Sequence, residues 1–327
     1  MDIIAEIGSV HNGSLKLAFK LVDKAKDCGA TTVKFQTHIA EAETLRNAPS
    51  PKYFKKEKRY DYFKRTSFNI NQWKKLKNYV EKKKLNFLSS PFSLEAIDLL
   101  EKIKVKNYKI PSGEITNIPL IEKINKINKP TFLSSGMSNW KELDLAVKKL
   151  KDIKKLTIMQ CTSLYPCTLK DAGLNIIAEI KKKYNRPVGF SDHTIGITAA
   201  ILSVFYKTTA IEKHLTLSRK MYGSDAFNAL EPDEFRNMVN CLNEAQIIIK
   251  NDVNKNNLRK LKKMKMIFEK SIVIKRKIKK NQIIEFDDLT FKKPGCGISP
   301  RKYKQILGKR AKKNLKDDYI LKIGDYY

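Results

Sequence analysis

The sequence predicts an α/β fold: a (β/α)8 TIM barrel followed by a small, mostly β domain. Three observations carry that expectation. Short β-rich apolar runs alternate with stretches of helical periodicity eight times over. The runs are continuously apolar rather than alternating, as parallel strands covered on both faces require. The rhythm stops near residue 250, and beyond 266 short β-like runs punctuated by Pro294, Gly295 and Gly297 take over. Eight such units in roughly 250 residues is the count and length of a closed barrel. A doubly wound open sheet is the alternative, but no GxGxxG follows the first strand, which counts against its dinucleotide-binding form.

The elements follow in order. "DIIAE" at 2–6 is the first strand, and periodicity at 14–28 gives the first helix. "TTVKFQ" at 31–36 leads through a long segment, 37–70, to a helix at 71–84; long loops on the C-terminal face of a barrel are commonly functional. "LNFLS" (85–89) precedes a helix at 93–103, and "KNYKI" (106–110) one at 117–128. "PTFLS" (130–134) is followed by 138–151, and "LTIMQC" (156–161) by 170–184. "PVGF" (187–190) and "TAIE" (209–212) complete the set with helices at 196–206 and 232–249. The barrel domain therefore spans 1–249. The polar, basic stretch 250–266 reads as a linker or a solvated helix, and 267–327 as the second domain.

Composition bounds the function. The net charge is +32, but the excess is mostly Lys spread over most of the predicted helices, with Arg scarce. A dedicated nucleic-acid reader would be richer in Arg, so no specific nucleic-acid partner is expected, only non-specific affinity for polyanions at low salt. No apolar run is long enough to span a bilayer, and "MDIIAEIG" carries no secretory signal pattern. The five cysteines are scattered without a CxxC pair, which suits reduced thiols in the cytoplasm.

In a barrel, chemistry sits where strands end. Here every strand ends in polar residues: Glu6 and then His11; Lys34 and Gln36 and then His38; Ser89 and Ser90; Lys109, Ser112 and Glu114; Ser134 and Ser135. The sixth strand delivers Cys161, Thr162, Ser163 and Tyr165, the seventh Ser191, Asp192 and His193, and the eighth Glu212, Lys213 and His214. All four histidines of the chain thus follow a strand. His193 and His214 end neighbouring strands, close enough to share one divalent ion, with other positions left to water and substrate. Lys34, Lys109 and the serines at 90, 112 and 134 would converge as cations and hydroxyl donors around a phosphate or carboxylate. Lys109 lies between Tyr108 and Ile110 in an apolar run, so it is expected to face inward. Glu6 and Glu114 supply carboxylates for proton transfer.

These residues also carry a resemblance. "IAEIGSVHNGS", "VKFQTH", "FLSSPFS", "YKIPSGEITN", "LSSGM", "QCTSLYP", "GFSDHT" and "IEKHLTL" stand in the order found in the sialic acid synthase family, and "KKPGCGISP" resembles its C-terminal antifreeze-like (SAF) domain. The resemblance implies a transferase: condensation of phosphoenolpyruvate with an N-acetylated amino sugar, first N-acetylmannosamine, to N-acetylneuraminate and phosphate. It also implies a domain-swapped homodimer and a divalent metal, manganese first, with magnesium or cobalt as alternatives. Carried over, His193 and His214 match the metal ligands. Lys109, Ser112, Ser90 and Ser134 match groups around the phosphate, with Ser191 near the carboxylate. Glu114 matches the carboxylate that activates water, helped by a neighbouring Lys that would lower its pKa. Glu6, Lys34, Gln36, Tyr165 and Asp225 match positions lining the aldehyde and amino sugar.

Two departures keep the sugar open. Ser163 stands where the family's neuraminate synthases have Asn, and Lys293 where they have Arg, which Lys does not replace as a two-donor group. "SRKMYGSDAF" around Asp225 also differs from the usual context. A legionaminate- or pseudaminate-type synthase and an N-acylneuraminate-9-phosphate synthase remain alternatives. A polyanion binder and a barrel that has lost catalysis are the readings from other classes. The first lacks an aromatic-interleaved basic motif; the second should lack a ligand, and His193, His214, Glu114 and Lys109 are all present.

Overall fold

The computed structural model describes residues 1–50, 57–223 and 225–327. It divides into two compact units, Met1–Asn251 and Asp252–Tyr327. The segment 51–56, part of the long second loop, and Ser224 in "SRKMYGSDAF" lie outside the described residues.

Eight parallel strands build the first unit: β1 (Asp2–Gly8), β2 (Thr32–Thr37), β3 (Asn86–Pro91), β4 (Tyr108–Ile110), β5 (Thr131–Ser134), β6 (Leu156–Cys161), β7 (Val188–Asp192) and β8 (Ala210–His214). Their order is β3-β2-β1-β8-β7-β6-β5-β4. β3 and β4 also pack side by side, so the sheet closes on itself, but that seam carries no ladder of hydrogen bonds. The fourth strand is shorter than its sequence suggests, because only Tyr108–Ile110 pairs with β5.

Helices α1 (Leu15–Asp27), α2 (Ala40–Glu43), α3 (Arg59–Thr66), α4 (Ile70–Lys82), α5 (Leu94–Lys102), α6 (Ile118–Ile127), α7 (Trp140–Lys149), α8 (Leu174–Tyr184), α9 (Thr198–Ser203) and α10 (Pro232–Lys250) follow. The eight crossover helices lie where the periodicity puts them; the extra pair, α2 and α3, fills the long segment after β2. Starts are chemically marked. Asn69 with Gln72, and Asn139 with Glu142, form reciprocal capping boxes at α4 and α7. The main core lies between strands and helices, where residues such as Leu21, Leu76, Ile121, Ile158 and Phe235 are fully buried. Each such side chain stabilises the fold by about 1.5–3 kcal/mol.

Inside the barrel a second, smaller core of Ile4, Leu88, Met159 and Ala210, with Phe132 against it, plugs the lower half. Gly189 makes room for that plug: a Cβ there would meet the Met159 sulfur at 2.3 Å and the Ala210 carbonyl at 2.8 Å. Side chains alternate along a strand, so the residue two further on returns to the same inner face. That step leads from Ile4 to Glu6, Leu88 to Ser90, Phe132 to Ser134, Met159 to Cys161 and Ala210 to Glu212. The apolar plug thus gives way to a polar layer.

The second unit holds α11 (Lys262–Phe268) and an antiparallel pair, β9 (Ser271–Ile274) with β10 (Leu289–Lys292). Part of the stretch read as linker is therefore helical. Ile272, Ile274, Ile278, Ile284, Ile306, Leu315 and Leu321 form this unit's own core.

Candidate active site

The polar layer is organised around Glu212 on β8. Its Oε1 lies 3.0 Å from Lys34 Nζ and its Oε2 2.7 Å from Lys109 Nζ, while the Ser191 hydroxyl donates to Oε1 at 3.1 Å. Lys34 Nζ also lies 3.3 Å from Glu6 Oε2, and Gln36 Nε2 donates to Glu6 Oε1 at 2.7 Å. Register explains the meeting, because Glu6 stands opposite Lys34 on one side and His214 on the other.

Burial opposes every charge in this array, and the neighbours decide which survive. Burial works against the Glu212 carboxylate, but Lys109 and Lys34 outweigh it and hold the group well below the usual range. Burial also works against Lys34, where Glu212 and Glu6 prevail and raise its pKa. At Lys109 burial wins and the pKa falls, with Glu212 pulling the other way. Burial pushes Glu6 up to about 7 against the pull of Lys34. Glu212 is thus the firmly ionised partner of both lysines, while Glu6 beside Lys34 holds its proton more readily than an ordinary carboxylate.

Beside the array stand two imidazoles. His193 Nδ1 lies 2.8 Å from the Thr162 carbonyl, so Nδ1 carries the proton and Nε2 the lone pair. Tyr165 Oη is 3.3 Å from that Nε2. The His214 ring centroid is 5.7 Å from that of His193, and its buried Nδ1 has no hydrogen-bond partner. Burial lowers both pKa values, keeping the rings neutral as ligation requires. Two neutral imidazoles, one with a buried nitrogen whose bonding is unmet, fit a divalent ion of borderline softness. Among the described residues no group of three or more His, Cys, Asp or Glu stands together that could hold a metal. The loop behind is braced: Asn228 donates to the His193 carbonyl at 2.8 Å, and Lys213 pairs with Asp192 at 2.8 Å.

Hydroxyls occupy the arc from β3 to β6. Ser90 is fully buried and its Oγ has no hydrogen-bond partner. Ser112 Oγ accepts from the Gly136 amide at 3.1 Å, and the Ser163 amide donates to the Gly136 carbonyl at 3.2 Å. These groups open into one cavity of about 450 Å³. It is lined by Glu6, Lys34, Gln36, Ser90, Lys109 and Ser112, and by Ser134, Ser163, Tyr165, Ser191, His193 and His214.

Three expected residues stand apart from that lining. Asp225 lies at its edge: a Cβ added to Gly8, whose φ is +52°, would meet Asp225 Oδ2 at 2.8 Å and Gln36 Nε2 at 3.1 Å. Lys293 belongs to the second unit, its Nζ 5.0 Å from the Phe268 ring centroid. Glu114 ends a short turn after β4, where Asn117 Nδ2 donates to it at 2.7 Å. The lysine expected beside it is not what sets its pKa. Burial raises that pKa, with the Asn117 hydrogen bond opposing.

Two histidines need correction as mouth residues. His11 is buried and stacked on Phe68 at 4.4 Å, and burial drives its pKa down to about 3. His38 is buried between Phe63 and Phe92, with Nδ1 2.7 Å from Glu43 and Nε2 3.1 Å from Gln36 Oε1. The sequence reading also left Glu212 out of the site, and missed Arg59 and Phe92 altogether as lining residues. Two lysines converging without an acid were the available signal for Glu212; no periodic pattern marks Arg59.

Comparison with known proteins finds relatives over nearly the whole chain. A model of the NeuB family matches residues 21–272, and one of the SAF domain matches residues 269–325. The N,N'-diacetyllegionaminic acid synthase of Campylobacter jejuni is 36% identical over 329 residues, covering 98% of this chain and 98% of that protein. Human N-acetylneuraminate-9-phosphate synthase is 31% identical over 328 residues, 97% of this chain and 90% of that one. Among solved structures, the N-acetylneuraminic acid synthetase of Leptospira borgpetersenii, in complex with citrate, superposes with a TM-score of 0.70 at 30% identity. That match covers 80% of this chain and 89% of the other.

Proposed function

The chain belongs to the NeuB family, and from that premise we propose that it joins phosphoenolpyruvate to an N-acetylated amino sugar. C3 of phosphoenolpyruvate bonds to the sugar's aldehyde carbon, water adds at C2, and the C2–O bond breaks to release phosphate, leaving a nine-carbon 2-keto acid. The observation that carries this reading is one mouth holding two neutral imidazoles, 5.7 Å apart, beside the Lys34–Glu212–Lys109 array.

Each group has a role its surroundings suit. His193 Nε2 and the His214 ring would hold a divalent ion, which when bound withdraws electron density from an aldehyde oxygen. Manganese is the first candidate, with magnesium and cobalt as alternatives. Lys34 and Lys109 hold their positions through Glu212, so positive charge is fixed before substrate arrives. Ser90, with no protein partner for its hydroxyl, is free to donate to a phosphate or carboxylate oxygen. Glu114, whose raised pKa makes its carboxylate a better base, takes the proton from the attacking water.

N-acetylmannosamine is the first sugar candidate. A second reading, a diamino-dideoxy sugar, is supported by 36% identity to the legionaminic acid synthase, against 31% to the human 9-phosphate synthase. We place the enzyme in the cytoplasm as a swapped homodimer, Lys293 of one protomer serving its partner's sugar site. Free thiols throughout, and no described helix long and apolar enough to cross a membrane, accord with that location.

The test is phosphate release from phosphoenolpyruvate across a panel of N-acyl hexosamines, free and 6-phosphorylated. Release should require an amino sugar, stop with a chelator, and be lost in His214→Ala while the fold survives. Undiminished turnover in that variant would overturn the assignment.

A further inference from the structure

Arg59 opens α3 and lines the cavity, although it comes from the long segment after β2 rather than from a strand end. Its guanidinium lies over the Phe63 ring at 5.4 Å; Phe63 stacks on His38 at 3.8 Å, and His38 on Phe92 at 4.3 Å. Glu43 and Gln36 hold His38 from both ring nitrogens. Arg59 and Phe92, the two ends of this stack, both face the cavity. The guanidinium is therefore oriented before any ligand arrives, which reduces the ordering cost of binding.

Charge accounting shows what it is for. Lys34 and Lys109 already have carboxyl partners, Lys34 in Glu6 and Glu212 and Lys109 in Glu212. Arg59 has no ion-pair partner among the described residues, so it is the lining cation left over. Its position selects the ligand. Phe92 follows β3, and Arg59 acts electrostatically on Glu114 after β4. This is the arc that carries Ser90, Ser112 and Ser134, whereas the imidazole pair ends β7 and β8.

Resting on the synthase reading above, we infer that Arg59 is a specificity-determining residue that grips the phosphate of the enol-phosphate substrate. Its planar fork suits two phosphate oxygens, a contact a single ammonium does not reproduce.

Steady-state kinetics and calorimetry on Arg59→Gln and Arg59→Lys test this. In Arg59→Gln the KM for phosphoenolpyruvate should rise about tenfold or more, with the amino-sugar KM within about twofold, and Arg59→Lys should fall between. Lys64→Gln, removing an exposed charge of the same helix, should change neither. A phosphoenolpyruvate KM unmoved in Arg59→Gln, or a rise in the sugar KM instead, would overturn the inference. Titration with inorganic phosphate needs no turnover and separates the two readings. Weaker phosphate binding in Arg59→Gln supports the contact even if the wild type releases no phosphate with any sugar, which would sink the synthase reading alone. Unchanged phosphate binding in that variant sinks the contact.

Discussion

Glu212 is one carboxylate serving two buried ammonium groups, and removing its charge leaves both without it. Glu212→Gln should destabilise the protein by about 3–5 kcal/mol, as expected when one partner of a buried charge set is lost, and should abolish turnover. Urea unfolding checks the first and phosphate release the second. Glu114 gives a pH prediction. Its folded pKa is raised by burial, so its contribution to stability is full below the unfolded carboxylate pKa and fades as pH rises through the folded one. In the proposed reaction the dependence runs the other way, since only the carboxylate form of Glu114 takes a proton. kcat/KM should therefore fall as pH drops through a value above the ordinary carboxylate pKa of about 4.3, and that limb should vanish in Glu114→Gln. A limb that persists there belongs to another group. At this scale the sequence was a partial guide. Strand position placed His193, His214, Lys34 and Lys109 at the mouth, because a residue that ends a barrel strand is nearly committed to that face. It could not separate these from His11 and His38, whose surroundings are aromatic side chains from distant segments.

Elements were the most legible level. Apolar periodicity marked all eight crossover helices, and the caps explain why several begin where they do. Asn139 accepts from the Glu142 amide at 3.0 Å, while the Glu142 side chain accepts from the Asn139 amide at 2.9 Å. Asn139→Ala should cost about 1 kcal/mol of stability with kcat unchanged, measured by paired thermal melts and rates. What periodicity could not give was the segment after β2. Helix α2 is one turn long, too short to show a repeat, and Arg59 lines the cavity from the first residue of α3. Residues in such a segment are positioned by stacking, which leaves no spacing rule in the chain.

For the whole molecule, the two units make separate demands. Barrel and SAF domain each carry their own apolar core, so removal of 267–327 should leave a folded barrel. If the cap is swapped and brings Lys293, the truncated enzyme should show a raised sugar KM and a nearly unchanged phosphoenolpyruvate KM; unaltered sugar affinity would argue against the swap. The net charge of +32 is spread widely along the chain, whereas in the cavity Lys34 and Lys109 have carboxyl partners and Arg59 has no ion pair among the described residues. The join between β3 and β4 has the widest reach. Seven of the eight staves' borders are zipped by backbone pairing; at this one the two strands lie in contact without a ladder. Ser90 and Lys109 flank it, so two residues proposed to meet the phosphate stand on neighbouring staves that no ladder joins.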